Sequence, residues 1–130
     1  MAQYRNITAH NEFKLADIVF IGKVIEIKKT EPDKNTGRYF ETILFKVTKS
    51  WKQDLPAIFT IKNEIYGCIT DFSKKEDWLI YSYKKQNGEY STMCCCSRTK
   101  PLAGAVKDLR EFEAKKEKPT KIIEISTSPK

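Results

Sequence analysis

A run of β-branched and aromatic residues near the amino end most constrains what this 130-residue chain can fold into. The run extends from Asp17 to Ile27 and reads DIVFIGKVIEI, which is too rich in valine and isoleucine for a comfortable helix. It predicts a first strand. Gly22 inside the run indicates a bulge or a sharp bend, which lets one long strand serve both sides of a small barrel.

Alternation and turn signals predict four further strands. Residues 38–51 predict a second, half-buried strand whose buried face carries Tyr39, Ile43, Phe45 and Val47. Shorter apolar runs predict strands at 57–61, 78–83 and 90–94. Asn87-Gly88, between the last two, favours a type I′ hairpin turn. A helical turn is expected at 11–16, and a loop is expected at 63–73.

A helix is predicted after the strands, at about residues 100–116. Leu102, Val106, Leu109 and Phe112 recur at helical spacing, with Thr99 as N-cap and residue 101, a proline, in the first turn. Together these elements predict a mainly β fold, a five-stranded OB-fold-like β-barrel with the C-terminal helix packed on it. One domain is expected over 1–116. Residues 117–130 form a tail, in which 121–125 is either a late edge strand or part of a loose segment.

The charge balance favours acidic partners without choosing among them. The chain has 24 Lys+Arg and 17 Asp+Glu, a formal net charge of +7. The lysines are spread along the whole chain, which favours a solvated surface over a dense nucleic-acid-binding arm. No apolar run approaches the roughly 18 residues that a membrane span needs, so no span is expected. No signal peptide is visible, which fits either a cytoplasmic protein or the mature form of a secreted or envelope (periplasmic) one.

The four cysteines leave several interpretations open. Three of them are predicted to lie at the junction between the last strand and the helix, namely Cys94, Cys95 and Cys96. The fourth, Cys68, precedes the hairpin predicted from strands 78–83 and 90–94. In a secreted protein, Cys68 pairs most naturally with Cys96 or Cys94. Three adjacent cysteines lack the ligand spacing of structural zinc motifs, and simple burial of the thiols is the remaining alternative.

No enzymatic constellation is apparent, and neither a cofactor nor a metal is expected. A catalytic thiol would need a base, and the one histidine, His10, lies in an unpatterned arm. No glycine loop of the phosphate-binding type is present. The carboxylates have lysine-flanked surroundings that predict a salt-bridged surface; they include Glu26, Glu41, Glu76, Asp77, Glu111 and Glu113.

The aromatic residues raise one competing hypothesis, because an OB barrel that binds single strands uses exposed aromatics and a basic groove. Most of them alternate at core spacing, which favours packing over stacking. A single-stranded nucleic-acid-binding function is therefore kept as the alternative. The residues concerned are Tyr39, Phe45, Trp51, Phe59, Trp78, Tyr81, Tyr83 and Tyr90.

Five stretches occur in an order that resembles the netrin-like module of the tissue inhibitors of metalloproteinases, in particular its small bacterial members. They are ADIVFIGKV (16–24), FKVTKSWK (45–52), Gly67-Cys68, EDWLIY (76–81) and CSRTKPL (96–102). The resemblance covers about residues 12–112. It implies an OB-type barrel with flanking helices, no catalysis, and a protein partner of the metalloprotease class.

The resemblance also implies where such a module acts, and where this chain departs from it. In the inhibitors, the α-amino group and carbonyl of an N-terminal cysteine chelate the protease zinc, and an N-terminal Cys-x-Cys is tied to the positions of Cys68 and Cys96. This chain has no cysteine before Cys68. Either that segment precedes residue 1 or this member has lost it, so inhibition by the family mechanism is not expected of these residues.

The predicted function is accordingly that of a non-enzymatic protein-binding module. By analogy with the inhibitory edge, the contact surface is expected at residues 63–70, with the N-terminal arm 2–11 beside it. The residues predicted to form the partner-binding loop are Ile65, Tyr66, Gly67, Cys68 and Ile69.

Overall fold

The computed structural model describes residues 8–65, 72, 76–92, 98–115, 117, 119 and 121–122. Five strands form its framework. They are β1 (Ile18–Lys29), β2 (Tyr39–Trp51), β3 (Ile58–Ile65), β4 (Asp77–Lys84) and β5 (Tyr90–Thr92). The other elements are helix α1 (Ala9–Leu15), strand β6 (Lys100–Pro101), a 3₁₀ turn (Leu102–Gly104), helix α2 (Val106–Ala114) and strand β7 (Lys121–Ile122).

The five strands form a nearly closed antiparallel barrel in the order β3-β2-β1-β4-β5. The two end strands of this order, β3 and β5, are joined by hydrogen bonds of one side chain. Asn63 on β3 donates to Thr92 Oγ1 at 3.0 Å and accepts from the Thr92 backbone N–H at 2.9 Å. A partly open five-stranded barrel with a packed C-terminal helix is the OB-type architecture, so the predicted fold class is confirmed.

β1 is long and carries the predicted irregularity at Gly22. Its pairing with β2 shifts register between Ile21 and Gly22, and shifts again between Val24 and Glu26. A Cβ on Gly22 would lie 3.1 Å from both Phe20 and Phe45. Glycine is therefore favoured here by the close approach of Phe20 and β2, because a Cβ would make these neighbours move by a few tenths of an ångström.

β1 separates two hydrophobic cores. Its residues Ile18, Phe20 and Val24 point into the barrel, whose interior also contains Phe45 and Trp78. The alternate residues Val19 and Ile21 point the other way, into a layer formed with the helices. That outer layer further contains Ala9, Phe13, Trp51, Leu79, Tyr81, Ala105 and Phe112.

The C-terminal helix begins later than the sequence pattern predicts. Residues 100–101 instead pair with Leu79 and Trp78 of β4, and α2 begins at Val106. Thr99 is not an N-cap, because its hydroxyl accepts the backbone N–H of Tyr81 at 2.9 Å. Val106, predicted to lie in the apolar stripe, is 50% exposed, since the buried face of α2 runs through Asp108 and Phe112.

Two loop predictions are also corrected. The structure does not have a type I′ turn at Asn87-Gly88, because only Gly88 of the pair has a positive φ, 90°. The Gly88 N–H donates to the Lys85 carbonyl at 2.9 Å, which makes a three-residue loop ending in a left-handed glycine. The loop predicted from residue 63 is wrong at its start, since β3 continues to Ile65.

The amino-terminal helix is capped at both ends by side chains. Thr8, the N-cap, accepts the Asn11 backbone N–H at 3.1 Å. At the other end the Lys52 ammonium donates to the carbonyls of Phe13 at 2.6 Å and Lys14 at 3.2 Å, and also to that of Ala16. Lys52 follows β2 directly and has φ 74°, so the turn after β2 delivers the cap.

Candidate functional site

Of the predicted partner-binding loop, the structure describes Ile65. It is the last residue of β3 and is 7% exposed, so its side chain belongs to the barrel wall. Tyr66, Gly67, Cys68 and Ile69 lie outside the described residues, as do Cys94, Cys95 and Cys96. The disulfide predictions therefore stay predictions. Of the expected N-terminal arm, residues 8–11 form the N-cap and first turn of α1.

The structure instead reveals a buried polar network that joins α1, β4, the segment 98–100 and α2. It contains two carboxylates, Glu12 and Asp108, both with 0% exposure. The sequence pattern predicts neither as a site. Each lies on the buried face of its own helix, however, three residues after a buried alanine and close to a buried phenylalanine. This spacing is the sequence pattern from which burial of the two carboxylates could have been predicted.

Asp108 is the more heavily bonded of the two carboxylates. One oxygen accepts from the Tyr81 hydroxyl at 2.6 Å and Arg98 Nε at 2.9 Å. The other accepts from Arg98 Nη2 at 2.6 Å and Lys100 Nζ at 3.0 Å. Burial alone would raise the pKa of Asp108, but the hydrogen bonds from Arg98, Tyr81 and Lys100 outweigh it and hold that pKa below its usual value.

Glu12 connects the same segment to the amino-terminal helix. It accepts from the Tyr83 hydroxyl at 2.6 Å and from the Arg98 backbone N–H at 2.6 Å. Burial and the bond to Glu12 raise the pKa of Tyr83, and burial and the bond to Asp108 raise that of Tyr81. Both phenols thus stay protonated donors at physiological pH.

The chemistry of this network is that of a structural clamp. A general base needs a free lone pair within reach of a substrate proton. Here both oxygens of Asp108 accept two bonds each. Each oxygen of Glu12 accepts one bond and keeps a second lone pair, but Glu12 is fully buried and its remaining lone pairs are out of reach of a substrate proton. The network fixes residues 98–100 between the two helices and β4, directly after the cysteine cluster in the sequence.

One other feature could hold a ligand, and it does not bring convergent polar groups together. A shallow cavity of about 290 Å³ lies between α2 and the end of β2, lined among others by Lys49, Trp51, Phe112 and Glu113. It is at the small end of the range for ligand pockets and mixes both charge signs on exposed groups. Among the residues that the structure describes, no cluster of His, Cys, Asp and Glu could hold a metal ion.

Four of the eight aromatic residues proposed as a stacking platform are buried, and the other four are half-buried. Phe45, Trp51, Trp78 and Tyr81 are at most 3% exposed, and they lie in the two cores. Phe59 and Tyr90 are half-buried and contact each other edge to face at 5.2 Å. The core-packing interpretation is confirmed for the four buried rings.

One of the carboxylates expected on the surface is also inside. Glu41 is 5% exposed and pairs with Lys29 at 3.8 Å. The prediction of a solvated, lysine-flanked position is wrong there, because Glu41 shares the inward face of β2 with Ile43 and Phe45.

No helix in the described part of the chain is long and apolar enough to cross a membrane.

Neither a protein-family model nor a curated protein matches the chain.

Proposed function

We propose that this protein is a non-enzymatic binding module that engages another protein at the barrel edge where β3 ends. The observation that carries the proposal is the position of the inhibitor-like stretches in the fold. Three of them include parts of the adjacent strands β2, β1 and β4, where Val19 pairs with Trp51 and Ile21 with Leu79. A fourth includes β6, where Pro101 pairs with Trp78.

This adjacency supports the resemblance because the stretches are far apart in sequence. The clamp formed by Glu12, Arg98 and Asp108 supports a non-enzymatic role, since its buried carboxylates are occupied by internal donors. The proposed setting is the cell envelope or the extracellular space, where the partner would be a metalloprotease.

An inhibition assay with a grafted N-terminus tests the proposal. The chain is compared, against a panel of zinc endopeptidases, with a variant whose mature N-terminus begins Cys-x-Cys ahead of α1. We expect no inhibition by the chain itself, because it lacks the chelating cysteine, and inhibition by the grafted variant. A Ser-x-Ser graft of the same length is the matched control and should not inhibit.

Two results would contradict the proposal. If neither the chain nor the Cys-x-Cys variant inhibits any member of the panel, the barrel edge does not present an inhibitory N-terminus. If the Ser-x-Ser graft inhibits as well as the Cys-x-Cys graft, the effect does not depend on zinc chelation and the inferred geometry is wrong.

A further inference from the structure

The one histidine of the chain, His10, lies in the first turn of α1 and contacts two carboxylates of the C-terminal part. Its backbone N–H donates to Glu111 Oε2 on α2 at 3.0 Å. Its ring nitrogen Nδ1 is 3.9 Å from Glu117 Oε2, just beyond α2. The side chains of His10 and Glu117 are 20% and 29% exposed, so the ring meets this carboxylate in a mostly buried setting.

The Nδ1 atom of His10 is buried and, within the described part of the chain, has no hydrogen-bond partner. At 3.9 Å the Glu117 oxygen is too far away for a hydrogen bond. A neutral imidazole carries one proton, and with that proton on Nε2 the lone pair of Nδ1 faces another acceptor. An imidazolium carries a proton on both nitrogens, so Nδ1 becomes a charged donor directed at Glu117. Protonation of the ring therefore supplies the bond that Nδ1 lacks.

The charged groups around His10 have both signs. Glu111 and Glu117 approach from α2 and from the chain just after it. Lys14, one turn further along α1, is exposed, so water screens its charge. The Lys52 ammonium also interacts with Glu117, but it donates to the carbonyls at the end of α1. Of these four groups, the two carboxylates are those that form a hydrogen bond or an ion pair with His10.

The contact between His10 and Glu117 belongs to the packing of α1 on α2. The two helices also meet through Phe13 and Phe112, whose rings are edge to face at 4.8 Å. From α1, Glu12 accepts the Arg98 backbone N–H at 2.6 Å. Any contact that strengthens the packing of α1 on α2 therefore also steadies the clamp on residues 98–100.

We propose that His10 is a pH-sensitive contact that ties α1 to the end of α2. When the ring is protonated, Nδ1 donates a charge-assisted hydrogen bond to Glu117 and α1 is held more firmly. When the ring is neutral, this bond is absent and the remaining contacts hold α1. Histidine is the side chain that ordinarily changes charge between about pH 5 and 8, so the contact responds to mild acidification. The inference does not rest on the proposed protein binding at the end of β3.

Urea denaturation of the full chain at about pH 7.5 and about pH 5.5 tests the inference. The stability that this contact contributes is present when His10 is charged and is lost as the pH rises. The pH response is the factor by which the unfolding equilibrium constant falls from the higher pH to the lower. We expect this response to be about threefold larger in the wild type than in His10→Gln, which is the size of an ion pair between partly exposed groups. The α-amino group and any thiol that titrates in this range act on both chains alike.

A second variant and a matched control identify the partner. Glu117→Gln should reduce the pH response to nearly that of His10→Gln, because the charged acceptor is gone. Glu31→Gln removes the same charge from an exposed position in the β1–β2 turn and should keep the wild-type response. Amide hydrogen exchange in α1, compared as protection factors, should rank the four chains in the same order.

Three results would overturn the inference. Equal pH responses in the wild type and His10→Gln would show that the histidine carries no such contact. A full wild-type response in Glu117→Gln would show that Glu117 is not the acceptor. Equal losses of response in Glu31→Gln and Glu117→Gln would show an effect of net charge rather than of this pair.

Discussion

At the scale of single residues, Gly22 and Asp108 matter most for this fold, because close neighbours restrict which side chain each position can hold. A Cβ on Gly22 would be in tight contact with Phe20 and Phe45, and Asp108 is fully buried. In the sequence, one of these residues lacks a side chain and the other has a short, charged one. The bulge at Gly22 was predictable because a glycine interrupts a β-branched run. Burial of Asp108 was not, because charged residues are seldom fully buried unless they are paired, and its partner Arg98 is ten residues away.

Gly22→Ala should destabilise the barrel. The added methyl group would meet Phe20 and Phe45 at 3.1 Å and the Lys46 carbonyl oxygen at 3.3 Å, so these neighbours would have to move by a few tenths of an ångström in a packed core. We expect a loss of about 1–3 kcal/mol in the free energy of unfolding, measured by urea denaturation. Gly104→Ala is the control, since nothing lies within 4 Å of its Cβ position. An unchanged midpoint for Gly22→Ala would contradict the close approach.

Asp108→Asn should make the free energy of unfolding depend less on pH in the acid range. The pKa of Asp108 is lower in the folded chain than the ordinary 3.8. A carboxyl of this kind stabilises the fold above its unfolded pKa, and the stabilisation is lost as pH falls through the folded pKa. The free energy of unfolding of the wild-type chain should therefore decline below about pH 4. Urea titrations across the acid range measure this decline.

The Asn variant should be less stable at neutral pH by about 2 kcal/mol, because a charged acceptor is replaced by a neutral one and Arg98 remains partly exposed. Its decline below pH 4 should be shallower. Asp77→Asn, an exposed carboxylate on β4, should leave the slope of the wild type unchanged. Parallel acid slopes for Asp108→Asn and the wild type would show that the clamp does not depend on an ionised Asp108.

At the scale of elements, β1, β2 and β4 follow their sequence patterns, whereas β3 extends beyond its predicted end and α2 begins later than predicted. β1, β2 and β4 were predictable because alternation and β-branched composition act locally. The start of α2 was not, because residues 100–101 satisfy their backbone by pairing with β4. The C-terminal cap of α1 could not be predicted either, since its donor Lys52 is 36 residues from Ala16 along the sequence.

Replacing Lys52 tests that cap. Lys52→Ala removes an ammonium from the carbonyl end of α1, where a cation is favoured, and should cost about 1–2 kcal/mol in unfolding free energy. Lys52→Gly removes the same ammonium but relieves the positive φ of 74°. The glycine variant should therefore be about 1 kcal/mol more stable than the alanine variant. Amide hydrogen exchange in α1 should accelerate in both. A wild-type exchange rate in Lys52→Ala would argue against the cap.

At the scale of the whole molecule, barrel closure depends on a residue that the sequence pattern assigns to a loop. Asparagine is depleted in strands, and Asn63 follows a short apolar run, so local signals favour a turn there. In the fold its side chain points inward and completes two hydrogen bonds to Thr92 across the gap between β3 and β5. Closure of this kind is a tertiary effect and leaves no local mark on the sequence.

Asn63→Ala should loosen the barrel at this seam. The Thr92 backbone N–H and hydroxyl would lose their partner in a partly buried position, at a cost of about 1–3 kcal/mol in unfolding free energy. Hydrogen exchange at the Thr92 amide should rise more than at β1 amides. Thr60→Ala, exposed on the same strand, should change stability by less than about 0.5 kcal/mol. Equal effects of the two substitutions would show that Asn63 does not close the barrel.

β1 gives the molecule a property that neither core has by itself. Its successive side chains alternate between the barrel interior, at Ile18 and Phe20, and the helical layer, at Val19 and Ile21. A slip of one residue in this strand would exchange the two sets and expose neither to water, yet it would misfit both cores at once. The packing of the barrel interior and that of the helical layer therefore fix the register of β1 together.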